Sequence, residues 1–338
     1  MKKIAFEEHF STEEQLDSFR SILENKYPVS GVAEEEKTLA QEIPFYYPVK
    51  MQDKIDKLLD IGRGRIKEMD ATGIDMQVLS LISPGIQVLD AAAGTAMARR
   101  VNEKLSAVVR KYPERFAGLA CVAPQDPDEA AKELERAVKE LGLKGVLINS
   151  HTKGEYLDDK KYWGILETAE KLGVPLYIHP RMPSPDMLSP YLAYPRLYSG
   201  VLGFSHEVSL HALRLIYSGV FDKYPDLKVI LGHIGEAIPY WLGRMDKTWP
   251  PEVEFPNRPK KLPSEYFKSN FFVATSGVFW QPPLLCAYLT LGADRILFAV
   301  DYPIESNEQA VKFIDTAPIS DCDKEKICHI NAEKLLGL

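Results

Sequence analysis

The chain has 338 residues, 45% of them hydrophobic and 26% charged, with a formal net charge of −7. That balance excludes a disordered, collagen-like or coiled-coil chain, and the length leaves either two medium domains or one large α/β barrel with insertions. An acidic chain without a long basic run does not favour nucleic acid or an anionic membrane as partner.

Taken in chain order, short apolar runs at 4–9, 76–82, 116–122, 145–149, 175–179, 228–231, 271–275 and 296–300 read as strands. Amphipathic stretches at 91–112, 126–141, 160–172, 208–221, 282–291, 307–316 and 323–336 read as helices between and after them. Asp126 followed by Pro127 is a helix start, and Gly142 and Gly173 are helix stops. Eight strand–helix alternations over this length favour a closed (β/α)8 TIM barrel over an open doubly wound sheet. No G-x-G-x-x-G or Walker loop follows a strand, which weakens a nucleotide-binding reading. Two segments read as insertions: 10–64, polar and acidic with IPFYYP inside it, and 180–204, dense in Pro and Tyr. The plainer reading of both is surface loop. In a barrel, however, segments that follow strands lie on the active-site face, where aromatic residues can wall a pocket.

The four cysteines, Cys121, Cys286, Cys322 and Cys328, form no C-x-x-C pair and read as reduced thiols. The apolar run of the N-terminus is too short for a signal peptide, and no segment reaches the length of a membrane helix, so a cytoplasmic protein is expected.

Among the seven histidines, His9 closes the first strand, His179 closes the fifth and His233 follows the sixth; Asp301 follows the eighth. In a parallel barrel these strand ends meet at one rim. Glu7 and His9 are two apart on a strand and so point the same way, able to chelate one ion. Alone, E-x-H is more often a solvated strand face; together with His179 and Asp301 it reads as a metal site. Such nitrogen and oxygen donors suit Zn2+ or Mn2+, with Mg2+ admissible. In LGHIGE, Glu236 lies three residues past His233, at the expected first turn of a helix, where its carboxylate can orient the imidazole. Arg244 can clamp a substrate anion, or simply pair with Asp246 at the surface. Asp301 can touch a metal and, with a raised pKa, act as a general acid; the plainer reading is a helix cap. His151 reads as an ordinary loop histidine, and His206, His211 and His329 as packing or surface residues.

These residues carry a resemblance. The start Glu7-Glu8-His9-Phe10, PLYIHP at 175–180, HALRLIYSGVFD at 211–222, YPDLKVILGHIGE at 224–236, ATSGVFW at 274–280 and DRILFAVDYP at 294–303 resemble the metal-dependent aromatic-acid decarboxylases of the amidohydrolase superfamily. The γ-resorcylate (2,6-dihydroxybenzoate) and 2,3-dihydroxybenzoate decarboxylases are among these. The resemblance runs from residue 4 to the C-terminal NAEKLLGL. It implies a (β/α)8 barrel assembled as a homotetramer or dimer. It also implies one divalent ion per subunit, held by Glu7, His9, His179 and Asp301, and no organic cofactor. His233 and Glu236 match a pair beside the substrate, and Arg244 matches a substrate-contacting arginine. The hydrolytic branches start H-x-H and carry a lysine at the end of the fourth strand; here Glu7 and Asn149-Ser150-His151 stand instead, which favours a mononuclear decarboxylase.

The expected reaction is nonoxidative loss of CO2 from a small hydroxybenzoate, with Asp301 protonating the ring carbon and His233, held by Glu236, assisting at the phenol oxygen. A metal-dependent hydrolase or hydratase on the same barrel is the alternative, and an inactive scaffold a third reading. Glu7 near the start and Asp301 near the end must reach one ion, so 1–338 reads as a single domain.

Overall fold

The computed structural model describes residues 1–26, 52–249 and 259–338. The strands are β1 (Ile4–Phe10), β2 (Met76–Leu81), β3 (Phe116–Gly118), β4 (Ala120–Cys121), β5 (Val146–Asn149), β6 (Leu176–His179), β7 (Val229–Leu231), β8 (Phe271–Ala274) and β9 (Ile296–Leu297). Every pairing between them is parallel, in the orders β1-β2-β3 and β4-β5-β6-β7-β8-β9. The third expected strand is thus split in two at Leu119, whose N–H donates to Leu79 O (2.9 Å) while Ala120 N donates to Gly145 O (2.8 Å). One barrel strand changes partner there and joins the two sheets. On the other side, Phe6 N donates to Phe298 O (3.0 Å), Asp301 N to Glu7 O (2.9 Å) and His9 N to Tyr302 O (2.7 Å). These bonds run the last strand alongside the first and complete a (β/α)8 barrel.

Alternation along the strands builds two apolar layers. Ile4, Phe6, Val78, Leu119, Leu147, Tyr177, Ile230, Ala274, Leu297 and Ala299 fill the barrel interior. Ala5, Leu79, Val146, Ile148, Ile178, Leu231, Val273, Phe298 and Val300 face the surrounding helices. β1 breaks this alternation: its register against β2 shifts between Ala5 and Glu8. The extra residue of this bulge lets Phe6 end the interior apolar layer and Glu7, directly after it, also turn inward. Beyond the bulge the parity is reset, with His9 opposite Ser80 and Glu8 opposite Leu79.

The helices follow expectation at Ala91–Lys111, capped by Asp90 accepting from Ala93 N (2.8 Å), and at Pro127–Lys139, capped by Asp126. Expected helix 208–221 is instead Gly203–Tyr217 followed by Val220–Lys223, interrupted at Gly219 in the left-handed region. The expected 323–336 helix is Asp321–Glu325 and Asn331–Leu336 around a wider π turn, Lys326–Ile330. Arg63–Thr72, Ile238–Thr248 and Pro263–Asn270 are helices that the apolar pattern did not mark.

Neither insertion is plain loop where it is described. Phe10 belongs to β1, and helices Glu13–Lys26 and Gln52–Leu59 flank residues 27–51, which with IPFYYP lie outside the described residues. Residues 180–204 wind through short helical turns at Pro185–Leu188, Ser189–Tyr191 and Pro195–Tyr198. Buried Arg65 ties the first insertion to the barrel, donating to His9 O (2.6 Å), Lys57 O (2.9 Å) and Asp60 O (2.9 Å). Among the described residues, no helix is long and apolar enough to cross a membrane.

Candidate active site

The interior residue positions that end the strands converge at the C-terminal rim. Glu7, His9, His179 and Asp301 each present one donor atom, and these atoms lie within 4.8 Å of one another. Glu7 Oε1 is 3.3 Å from His179 Nε2 and 3.9 Å from His9 Nε2, and Asp301 Oδ1 is 3.1 Å from His9 Nε2. Glu7, His9 and His179 are buried, and the Asp301 side chain is 14% exposed. Glu7 Oε1 and His9 Nε2 are buried without a hydrogen-bond partner. Buried polar atoms are ordinarily satisfied, so two orphans aimed at one point, among two imidazole nitrogens and two carboxylates, fit a divalent ion.

The surroundings aim each donor. The other oxygen of Glu7, Oε2, accepts from both Tyr177 OH and Ser276 Oγ, which leaves Oε1 turned to the cluster. Gly232 makes room for this contact: a Cβ there would stand 2.5 Å from Glu7 Oε2. His9 Nδ1 lies 3.2 Å from Ser80 Oγ, and His179 Nδ1 lies 3.0 Å from Asn149 Oδ1. Both imidazoles are therefore held with Nε2 facing inward. Sequence reasoning missed Tyr177, Ser276, Ser80 and the role of Asn149. The signal was parity, since Tyr177 lies two before His179, Ser276 two after Ala274, Ser80 two after Val78 and Asn149 two after Leu147.

His233 Nδ1 is 2.7 Å from Glu236 Oε1, and its Nε2 is 3.8 Å from Asp301 Oδ2. The expected helical first turn is not what places them. His233, Ile234, Gly235, Glu236 and Ala237 all have φ between 50° and 75°, and the regular helix begins only at Ile238. This left-handed run curls Glu236 back under the imidazole, and only a residue without a Cβ fits at Gly235, where one would meet Val273 Cγ1 at 2.6 Å. Asp301 also has φ +78°, rare for a residue with a side chain. Five non-glycine residues in this strained region, His233, Ile234, Glu236, Ala237 and Asp301, thus flank the rim.

Electrostatics follow the crowding. Burial opposes charge on His233, but Glu236, Glu7 and Asp301 hold its pKa well above the imidazole range. Burial, and then His9 beside it, pull His179 down. Burial raises Glu7, yet His233, His179 and His9 outweigh it and hold the carboxyl well below its usual range. For Asp301, burial pushes up while the neighbouring imidazoles of His233 and His9 bring the carboxyl down. The direction is opposite to the raised value expected from sequence, because two imidazoles and not an apolar wall face it.

Arg244 lies exposed on the helix Ile238–Thr248. Among the described residues it makes no ion pair with Asp246, whose Oδ1 accepts from Ser264 N (3.0 Å), nor any hydrogen bond to the cluster. His151 is a closed structural residue, with Nε2 donating to Met182 O (3.0 Å) and Nδ1 accepting from Gly154 N (3.1 Å). His206 meets Tyr191 OH (2.8 Å), and His329 pairs with Glu333 (3.2 Å).

The amidohydrolase family model matches residues 56–338. The chain belongs to the amidohydrolase family. As an amidohydrolase it is 39% identical over 350 residues to the γ-resorcylate decarboxylase of Polaromonas sp. (strain JS666), with 99% of this chain and 98% of that protein covered. The crystal structure of 5-carboxyvanillate decarboxylase from Sphingomonas paucimobilis is similar at a TM-score of 0.92 and 38% identity, covering 100% of this chain and 99% of that one. A dihydroxybenzoic acid decarboxylase from Polaromonas sp. JS666, solved with bound manganese and the inhibitor 2-nitroresorcinol, is similar at a TM-score of 0.88 and 39% identity, covering 100% and 97%. The amidohydrolase barrel and a buried cluster of four donor side chains thus occur here together with full-length likeness to decarboxylases.

Proposed function

We propose that the protein is a nonoxidative, divalent-metal-dependent decarboxylase of a hydroxybenzoate, a carboxy-lyase built on the amidohydrolase barrel. The observation that carries this reading is the buried Glu7–His9–His179–Asp301 cradle, with the second oxygen of Asp301 turned towards the His233–Glu236 pair. A divalent ion held by Glu7, His9, His179 and Asp301 would supply Lewis-acid stabilisation of negative charge on substrate oxygens. Mn2+, Zn2+ and Mg2+ are all compatible with the donor set, and Mn2+ is the ion in the related dihydroxybenzoic acid decarboxylase.

The chain's own residues then manage protons. Direct loss of CO2 from a benzoate would leave an aryl carbanion; protonating the carboxylate-bearing ring carbon first avoids it. Asp301 Oδ2, slightly exposed and next to His233, is the group placed to deliver that proton. His233 stands next to it as the source of that proton. His233 holds one on Nε2, 3.8 Å away, and passes it through Asp301 to the carbon, while Glu236 keeps Nδ1 protonated and the ring oriented. The bond from the ring carbon to the carboxylate then breaks, CO2 leaves with its oxygens, and the electron pair restores the aromatic ring. Holding the acid against one carbon is where the rigid rim contributes most.

Arg244 belongs to this reading as a contact for the substrate anion. So do residues 1–338 as a single barrel domain, the segments 10–64 and 180–204 as walls of the pocket, a homotetrameric or dimeric assembly and a cytoplasmic location. The test is a panel of 2,6-dihydroxybenzoate, 2,3-dihydroxybenzoate, salicylate and 5-carboxyvanillate, assayed for CO2 and phenol with Mn2+, Zn2+ or Mg2+ added to metal-free protein. CO2 release from at least one acid supports the reading. Water addition or ester cleavage without CO2 overturns it in favour of a hydratase or hydrolase.

A further inference from the structure

Asn149 occupies the end of β5, the strand position from which the sequence departs from the hydrolytic branches. Its side chain points into the barrel, and its Oδ1 accepts from His179 Nδ1 at 3.0 Å. The residue is gripped by one carboxamide. Gln87 Oε1 accepts from Asn149 N (2.7 Å), and Gln87 Nε2 donates to Asn149 O (3.1 Å), His151 O (3.2 Å) and Thr152 Oγ1 (2.8 Å). The Gln87 amide thus imitates a neighbouring peptide group and holds the strand end square. Gly85, at φ +65°, lets this loop approach: a Cβ there would lie 2.5 Å from Asn149 Nδ2. So much fixation of a single amide is out of proportion to simple packing.

The choice of amide also follows a pattern. Both histidines of the cradle lean on neutral groups, His9 on Ser80 and His179 on Asn149. The histidine outside the cradle, His233, leans on a carboxylate, Glu236. Glu7 and Asp301 already supply two negative charges, enough to balance a divalent ion. A third carboxylate behind His179 would make the occupied centre anionic and repel an anionic acid.

We propose that Asn149 is a positioning residue for the metal centre. Its amide oxygen fixes His179 with Nε2 turned to the ion, and its neutrality keeps the occupied centre receptive to an anionic substrate. The second half rests on the decarboxylase reading; the first does not.

The experiment compares Asn149→Leu, which removes the acceptor at similar size, with Asn149→Asp, which keeps the acceptor and adds charge. Mn2+ affinity is measured on metal-free protein by competition with a chromophoric chelator, and kcat and KM for 2,6-dihydroxybenzoate are measured at saturating Mn2+. Asn149→Leu should bind Mn2+ about 10- to 100-fold more weakly, the range found when such supporting hydrogen bonds are removed. Asn149→Asp should bind Mn2+ at least as tightly as the parent, yet show KM raised about tenfold or more, a split that mere loosening of the fold does not produce. Mn2+ affinity of Asn149→Leu within about twofold of the parent overturns the positioning role. Should Asn149→Leu fail to fold, the isosteric Asn149→Asp decides: Mn2+ binding weakened, or KM unchanged, overturns the proposal. If the parent releases CO2 from no acid of the panel, the decarboxylase reading fails by itself, and the Mn2+ affinities still judge the positioning role.

Discussion

Two buried polar clusters sit side by side on this barrel, and they are finished differently. One is the Glu7–His9–His179–Asp301 cradle. The other begins one residue past Asn149, where Ser150 Oγ donates to Glu207 Oε1 (2.9 Å) and Tyr156 OH donates to Glu207 Oε2 (3.1 Å). His211 completes it, its Nε2 accepting from Leu157 N (3.1 Å) and its Nδ1 facing Ser150 Oγ (3.3 Å). Both clusters contain carboxylates and imidazoles, and both are withdrawn from water. In the second, these groups close on one another and tie the segment after β5 to the helix Gly203–Tyr217. In the first, Glu7 Oε1 and His9 Nε2 are left over. Burial of polar groups therefore does not mark the reactive site, and neither does a lone orphan, since Thr95 Oγ1, Gln125 Oε1, Gln281 Oε1 and Asn307 Oδ1 also lack a hydrogen-bond partner; two orphaned donor atoms inside one group of four ligand-type side chains do. A Ser–His–Glu grouping that looks catalytic in composition is closed on itself, and the grouping with two orphans among four ligand-type side chains is the candidate centre.

This contrast can be broken by experiment, beginning with the open cluster. Removing metal with a strong chelator should abolish turnover, and added Mn2+ should restore it; full activity after verified metal removal would end the metal assignment. Asp301→Asn should cost about 10²–10⁴-fold in kcat from the lost proton transfer alone, and His179→Ala should lose metal binding together with activity. Near-parental kcat in Asp301→Asn at saturating metal would take the acid role away from that residue.

The closed cluster should respond through stability instead. Burial pushes Glu207 up from an ordinary 4.5 to about 7, against the pull of Ser150 and Tyr156. A carboxyl raised in the folded state binds its proton more tightly there than in the unfolded chain. Stability from this group is greatest below about pH 4.5, falls as pH rises towards about 7, and is level above that. The span is up to about 3 kcal/mol. Urea unfolding of the parent and of Glu207→Gln between pH 5 and 8 should show the decline flattened in the variant. Parallel curves would mean that Glu207 is not the group responsible. His211, pushed down to about 3 by burial and then by Arg214, stays neutral through the same range.

Arg244 belongs to neither cluster, so its effect should be the smallest and the most specific. Arg244→Ala should raise KM for a hydroxybenzoate, by about tenfold for one charge-assisted hydrogen bond, with kcat and metal affinity kept. Unchanged KM would remove Arg244 from substrate binding.

Much of the site was legible because its signals are local. E-x-H on a strand, a histidine before a strand-breaking proline at His179-Pro180, and an aspartate at the last strand's end are short patterns, and parallel strands bring their ends to one rim. The partners of those residues were less legible. Tyr177, Ser276, Ser80 and Asn149 are ordinary residue types whose importance comes from which strand lies beside which. The pairing of His233 with Glu236 was readable from their spacing, but the left-handed backbone that achieves it was not.

The sequence alone determined the alternation of strands and helices, the parallel sheet this implies and which four ligand-type side chains stand at strand ends, because hydrophobic period and residue chemistry are properties of neighbours along the chain. Tertiary structure decided the rest. The bulge between Ala5 and Glu8 turns Glu7 inward directly after Phe6, and the seam from β1 to residues 298–302 sets Asp301 against His9 across almost the whole length of the chain. Two hydroxyls leave Glu7 with a single oxygen to offer. Each of these depends on register between strands far apart in sequence, which no local pattern encodes.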